Sequence, residues 1–359
     1  MVFRTALLRE LAAVALGVFL VLLGITLTTQ LVRLLGQAAS GAITSGGVVA
    51  LLGFTLLGYL PVLLSLTLFI AVLMTMTRSY RDSEMVVWFS CGMGLTQWVR
   101  PVLAFALPLV FTIAVLSLAL SPWAVTKAEE FRRLMESRDD VSAVTPGVFR
   151  ESRHAERVYF VEEVSGKENV VANVFVSATQ HQKTGVMVAK EGFQETMPNG
   201  DRFLVLLNGR RYEGQPGTAE YRIAEFERYA IRIEVSEMVA RAPTTKTTPT
   251  PELLLNRTPA HMAELSWRLG LPISALLLSL LAIPLSFVNP RAGRSMNLLL
   301  ALLIYATYSN LLSIVQASIA QSRIDAAVGI WGVHVLMTLL LVLLFYRRVM
   351  VFSLFRLMR

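Results

Sequence analysis

Three groups of side chains in this sequence have the types and spacing to do chemistry. In the first apolar segment, Thr26, Gln30, Arg33 and Gln37 stand at offsets of 0, 4, 7 and 11, one face of a helix that continues past Arg33. Farther along, Ser309, Ser313 and Gln316 stand at 0, 4 and 7, with Asn310 beside them. Polar stripes of this kind have two readings. They snorkel and hydrogen-bond between helices, or they line a cavity for a polar or anionic substrate. The third group is a short segment, 79–98. Asp82 and Ser83 are N-cap candidates, Glu84 sits in the first turn and Gly92 can close the helix. Met85, Trp88 and Phe89 then fall at i, i+3 and i+4 on one apolar face. That face either rests on a bilayer surface or docks into a soluble partner, with Glu84 presented to a basic residue.

The chemistry does not extend to catalysis. His154, His181, His261 and His334 are scattered, with no second ligand at metal-site spacing. Gly166-Lys167 is the one Gly-Lys pair. Val161 stands where a phosphate-binding loop needs its first glycine, and no Ser or Thr follows the lysine. The chain reads as a non-catalytic subunit that binds no metal and no cofactor. If it moves something uphill, a partner must handle ATP and Mg. Cys91 is the single cysteine, so no intramolecular disulfide exists, and a lone thiol reads as a small buried residue.

The elements that carry these groups are membrane spans. Hydrophobic residues make up 54% of 359 and charged residues 16%, a balance outside that of soluble domains. No charge occurs in 11–32, 34–77, 101–126, 269–290, 295–322 or 326–346. A helix of about 20 residues crosses the hydrocarbon core, whereas a β-barrel alternates in strands of about 10. Six transmembrane helices are predicted, the second kinked at Pro61 and starting near Val48 after a Gly, Ala and Ser-rich loop. The first segment is too long for a signal peptide and reads as a retained helix.

Charge orients them. The net +8 resembles a nucleic-acid signature, but residues 127–268 hold 20 basic and 21 acidic side chains. The other basic residues are 13 arginines beside the spans. With the amino terminus cytoplasmic, only Arg33 and Arg323 of these fall outside. Both termini are then cytoplasmic and 127–268 is external.

The external segment begins as a charged helical extension, 127–140, and turns to period two from about Val141. Strand-like runs at 157–164, 169–178 and 186–197 precede a turn at 198–201, a strand at 202–207, and Asn208-Gly209 as a hairpin turn with 210–214 returning. After a turn at 215–217, 219–235 is strand-like. The domain, 141–241, reads as a sandwich, jelly roll or open barrel. Residues 242–251 (APTTKTTPTP) read as an extended linker within a connecting stretch, 242–267. The full order is 1–126 with three spans and a short cytoplasmic helix at about 83–91, then the extension, the β-domain, the linker, and 268–359 with three spans and a cytoplasmic tail.

Five runs carry a resemblance: SEMVVWFSCGMGL (83–95), SPWA (121–124), TPGVFRE (145–151), LNGRRYEGQPG (207–217) and IPLSFVNPRAGRS (283–295). Together they resemble the LptF/LptG permeases of the bacterial lipopolysaccharide exporter over nearly the whole chain. The resemblance implies an LptF–LptG heterodimer in the Gram-negative inner membrane, driven by two copies of the ATPase LptB. The complex extracts lipopolysaccharide and passes it over periplasmic β-jelly rolls to LptC and LptA. It makes 83–91 a coupling helix, with Glu84, Met85, Trp88 and Phe89 toward the ATPase. It also gives both polar stripes (Gln30, Arg33 and Gln37; Ser309, Ser313 and Gln316) a lipid to contact. The strand 203–207 is apolar on both faces, which leaves Phe203, Val205 and Leu207, or else Leu204 and Leu206, as a candidate lipid route. The rival classes are a secondary transporter, which needs no ATPase, and a membrane-tethered adaptor presenting the β-domain.

Overall fold

The computed structural model describes residues 2–39, 43, 45–142, 150–151, 157–165, 170–180, 183–197, 202–214, 221–233, 244–287 and 294–357. The chain divides into a helical unit, Met1–Arg132 with Pro243–Arg359, and a β unit, Arg133–Ala242.

Nine α-helices occur among the described residues: α1 (Val2–Ala39), α2 (Val48–Arg81), α3 (Glu84–Ser90), α4 (Val99–Val115), α5 (Ser121–Ser142), α6 (Thr250–Leu255), α7 (Pro259–Leu285), α8 (Arg294–Ala320) and α9 (Ala326–Leu357). Six helical stretches are long and apolar enough to cross a membrane, the third running from Leu95 to Met135 through α4, a π-helical turn and α5. That turn, Leu116–Leu120, is one wide turn inserted in a continuous helix. The middle of the bundle is α2 and α7. Two-thirds of the apolar window of α7 is buried, against 11% for α1. Small polar residues let these helices approach closely. Ser274 and Ser279 on α7, and Ser286 at its C-cap, each donate to a carbonyl three residues back, so they are buried with their hydroxyls satisfied.

The fourth span starts earlier than its charge-free stretch. Thr258 caps α7 by accepting from the His261 amide at 3.2 Å, and Pro259 follows in the first turn. Glu264 and Arg268 therefore lie inside the helix, buried and paired with each other at 3.0 Å. The described part of the expected extended linker is folded as well. Thr247 donates to the Thr244 carbonyl from both its amide and its hydroxyl, and Thr250–Leu255 is helical. Threonine hydroxyls supply the local bonds that hold this segment in turns. Cys91 is exposed at the C-terminus of α3, where the sequence pointed to a buried residue.

The β unit is a six-stranded antiparallel sheet, β1 (Arg150–Glu151), β2 (Arg157–Ser165), β3 (Val170–Gln180), β4 (Lys183–Thr196), β5 (Arg202–Gly214) and β6 (Tyr221–Ile233), paired in chain order. The expected all-β insert is present, with the strand order of a meander in place of the Greek-key crossings of a jelly roll. The turns read at 198–201 and 215–217 lie outside the described residues. Asn208-Gly209 is not a hairpin. It sits inside β5, which pairs with β4 and β6 on both sides of it. Asn208 takes a left-handed conformation (φ 50°), and a side chain at Gly209 would collide with the Val188 carbonyl and the Phe226 ring. Asn173 on β3 does the same (φ 51°).

These residues belong to one transverse row. Pairing is interrupted at Glu162, Asn173, Lys190, Asn208 and Glu227, and all five are exposed. Across the row the apolar face changes parity. Val174, Val176, Met187 and Ala189 on one side meet Val171, Leu204, Leu206 and Ile231 from the other in a single cluster. In a flat sheet, positions three residues along a strand lie about 10 Å apart. Yet a Cβ on Gly192 would be 3.2 Å from side-chain atoms of both Val171 and Val174. The sheet is creased along this row and folded onto its own core.

Candidate coupling and substrate-contact sites

The short helix α3 is fixed by its apolar face. Ser83 occupies the N-cap position in a left-handed conformation (φ 59°) and makes no side-chain cap bond. At the other end Gly92 (φ +84°) reverses the chain, and the amides of Cys91, Gly92 and Met93 return to the carbonyls of Val87, Phe89 and Trp88. Met85 is 1% exposed, and Trp88 and Phe89 pack against the main core of the bundle. Phe89 and Phe287 both contact the Tyr80 ring, with centroids at 6.3 and 5.5 Å, and the Arg348 guanidinium lies 4.0 Å from the centre of Phe287. The face turned away from the bundle carries Val86 and Val87, 66% and 59% exposed.

Of the four candidate coupling residues, then, Met85 is inside the bundle, Trp88 and Phe89 are half-buried against it, and Glu84 stands at the edge. Glu84 lies 3.4 Å from Arg78, whose guanidinium is shared with Glu10 on α1 at 2.7 Å. The outward valines were missed. Periodicity shows which residues share a face but not which way that face looks. Adjacent apolar residues outside the i, i+3, i+4 set were the available signal.

The stripe on α1 is placed on one helical face. Gln30 and Gln37 are half-buried and Arg33 is exposed. Thr26, Thr28 and Thr29 each donate at 2.8 Å to the carbonyl four residues back. Their hydroxyl protons are thereby taken, and the shallow groove lined by Gly24, Ile25, Thr28 and Thr29 presents mostly carbon, with hydroxyl oxygens left as acceptors. On α8, Ser313 is exposed and donates to the Ser309 carbonyl, while Gln316 is half-buried and donates to Glu264 at 3.5 Å. The helix α1 packs on α2 and α4, and α8 packs on α7, α9 and α2. Among the described residues, the two stripes thus stand on helices with no extensive packed interface between them. In the β unit, Leu204 and Leu206 are the residues of β5 that enter the core between the two leaves of the sheet. Phe203, Val205 and Leu207 occupy its other face, Val205 fully buried and the other two half-buried.

One polar cluster escaped sequence reading. The Arg268 guanidinium donates to Glu264 at 3.0 Å, to the Thr250 hydroxyl at 2.9 Å and to the carbonyls of Lys246 and Thr245 at 3.0 and 3.4 Å. Thr250 in turn donates to the Leu118 carbonyl in the π-helical turn, and Ser117 donates to the Arg268 carbonyl at 2.9 Å. The signal for it was an acid and a base four apart behind a Thr-Pro helix start. Among the described residues, no group of three or more His, Cys, Asp or Glu could hold a metal ion.

A bundle of six candidate spans with a creased β-sheet inserted in the chain between the third and fourth, and a short helix packed on α2, defines a polytopic membrane protein with an inserted β-domain. The family model described as "Lipopolysaccharide export system permease LptF/LptG" matches residues 5–347. The chain belongs to that family. It is 28% identical over 348 residues to the lipopolysaccharide export system permease protein LptF of Escherichia coli K12, covering 96% of this chain and 94% of that protein. The LptF of Shigella flexneri matches to the same extent.

Proposed function

We propose that this chain is the LptF-type subunit of a lipopolysaccharide exporter, paired with an LptG-type subunit and driven by two copies of an LptB-type ATPase. The observation that carries the reading is a family match running through both helical blocks and the β unit without a break. The ATPase would bind the outward face of α3, with Val86 and Val87 as its apolar contact and Glu84 offered to a basic side chain. Both chain termini and α3 would face the cytoplasm of a Gram-negative bacterium, and the β unit the periplasm. Lipopolysaccharide would leave the inner membrane along the polar faces of α1 and α8. Gln30, Arg33, Gln37, Ser309, Ser313 and Gln316 would contact its head, and Arg33 would form a charge-assisted pair with a phosphate. It would then pass over Phe203, Val205 and Leu207 toward LptC and LptA. ATP and Mg would be bound by the partner only.

The test is reconstitution. The full complex in liposomes loaded with lipopolysaccharide is expected to release it to a soluble periplasmic acceptor only when ATP is hydrolysed. Release driven by an ion gradient in the absence of the ATPase would overturn the reading in favour of a secondary transporter.

A further inference from the structure

We propose that Arg268 is a positioning residue that makes α8, α7 and the segment returning from the β unit move as one body. The buried guanidinium, 3% exposed, is the centre of a four-way join of polar groups. Its Nε meets Glu264, one turn up α7. Its two terminal nitrogens meet Thr250 and two carbonyls of the 244–250 segment. Thr250 hands the connection on to the π-helical turn in the third span, and Glu264 hands it on to α8.

The chemistry of the join makes it stiff. Glu264 is 8% exposed and uses one carboxylate oxygen for Arg268 and the other for Gln316. If α8 moves away alone, a buried carboxylate oxygen loses its donor. If the 244–250 segment moves away alone, a buried guanidinium loses three acceptors. Both losses are costly in a dry site, so the arrangement favours joint movement. The π-helical turn adds to this. Such turns leave a carbonyl badly placed for its own helix, and here the Leu118 carbonyl is taken by Thr250. A lysine could keep the charge and the bond to Glu264, but a single ammonium cannot span Glu264, Thr250 and two carbonyls at once. The role therefore rests on the guanidinium fork and not on charge.

The proposal deepens the reading above, because it rests on α8 bordering the substrate path, and Gln316 lies on that stripe. A headgroup that engaged Gln316 would be felt at Glu264, and through Arg268 at the segment that links the two units. Arg268 touches no substrate in this scheme.

The test uses the full complex with Cys91→Ser and spin labels on Lys246→Cys and Gln321→Cys, both exposed positions. The distance between labels is expected to be narrow and the same in the nucleotide-free and ATP-vanadate states. Arg268→Lys is expected to broaden it at least twofold. Thr250→Val leaves the Arg268–Glu264 pair in place and should broaden it in the same direction, so the test survives if the arginine variant fails to fold. A parent distance that changes between states, or variants as narrow as the parent, would overturn the proposal. In liposomes, Arg268→Lys is expected to raise the ATP hydrolysed per lipopolysaccharide released at least fivefold, with hydrolysis itself within twofold. A parallel fall in both would mark a merely structural residue. If the parent complex releases no lipopolysaccharide at all, the functional reading fails, while the distance measurement still judges the join.

Discussion

At the scale of single residues, α3 separates two roles that look alike in sequence. Met85 and Val86 are neighbours, yet one is 1% exposed and the other 66%. An aspartate at Met85 would bury a carboxylate in the bundle core, costing about 3 kcal/mol or more. Met85→Asp should fail to yield folded protein by size-exclusion chromatography. Val86→Asp and Val87→Asp should fold normally and capture the ATPase at least tenfold more weakly in a pull-down. Glu84→Arg belongs with the valines. Its pair with Arg78 is 42% exposed on both sides, so losing it costs the fold about 0.5 kcal/mol, whereas a second cation beside Arg78 should repel a basic partner. Normal ATPase binding by all three variants would move the docking surface elsewhere. The proposed substrate stripe makes a similar contrast. Arg33→Glu should lower lipopolysaccharide crosslinking to a photoreactive residue at Gln30, and Arg323→Glu should leave it unchanged. Equal tolerance of the two would make Arg33 a snorkelling residue.

At the scale of elements, the crease in the sheet makes a stability prediction. Asn208 holds a left-handed conformation that asparagine tolerates and a β-branched residue does not. Asn208→Val should cost about 1–2 kcal/mol, and Asn208→Gly should be nearly neutral. Amide hydrogen exchange along β5 is the measurement, since a loss of that size accelerates exchange roughly 5- to 30-fold. The same residue shows why part of the fold was illegible. An Asn-Gly pair supplies positive φ, which a hairpin turn and a strand crease both require, and only pairing with β4 and β6 tells them apart. The spans were legible because an uncharged run of 20 residues has few other uses. Where charge was used as the boundary, at 269, the reading failed, because Glu264 and Arg268 satisfy each other and let the helix run on. The direction of α3 was illegible for a related reason. Its pattern is complete within seven residues, and what covers it comes from Tyr80 and from Phe287, nearly two hundred residues later.

At the scale of the molecule, the arginine distribution predicts an orientation that thiol labelling can test. With both termini cytoplasmic, a cysteine at Gln321 should react with an impermeant maleimide added to intact spheroplasts. Native Cys91, exposed on its own side, should react only after the membrane is opened. The reverse pattern would invert the topology and with it the ATPase-binding side.

The crease also sets how the β unit can deform. In a sandwich of two separate sheets, the layers are joined by loops and can slide past each other. Here β2 to β6 each run through the row at Glu162, Asn173, Lys190, Asn208 and Glu227 and contribute to both layers. Sliding would break backbone pairing on every strand at once. Opening about the row breaks none, and exposes only the apolar residues that face each other across it. The unit is therefore built like a clamshell with a spine of five strands, in which shear breaks backbone pairing and a change of the angle does not. Anything apolar and slender enough to lie along the spine could be admitted by a small change in that angle, without unfolding a strand.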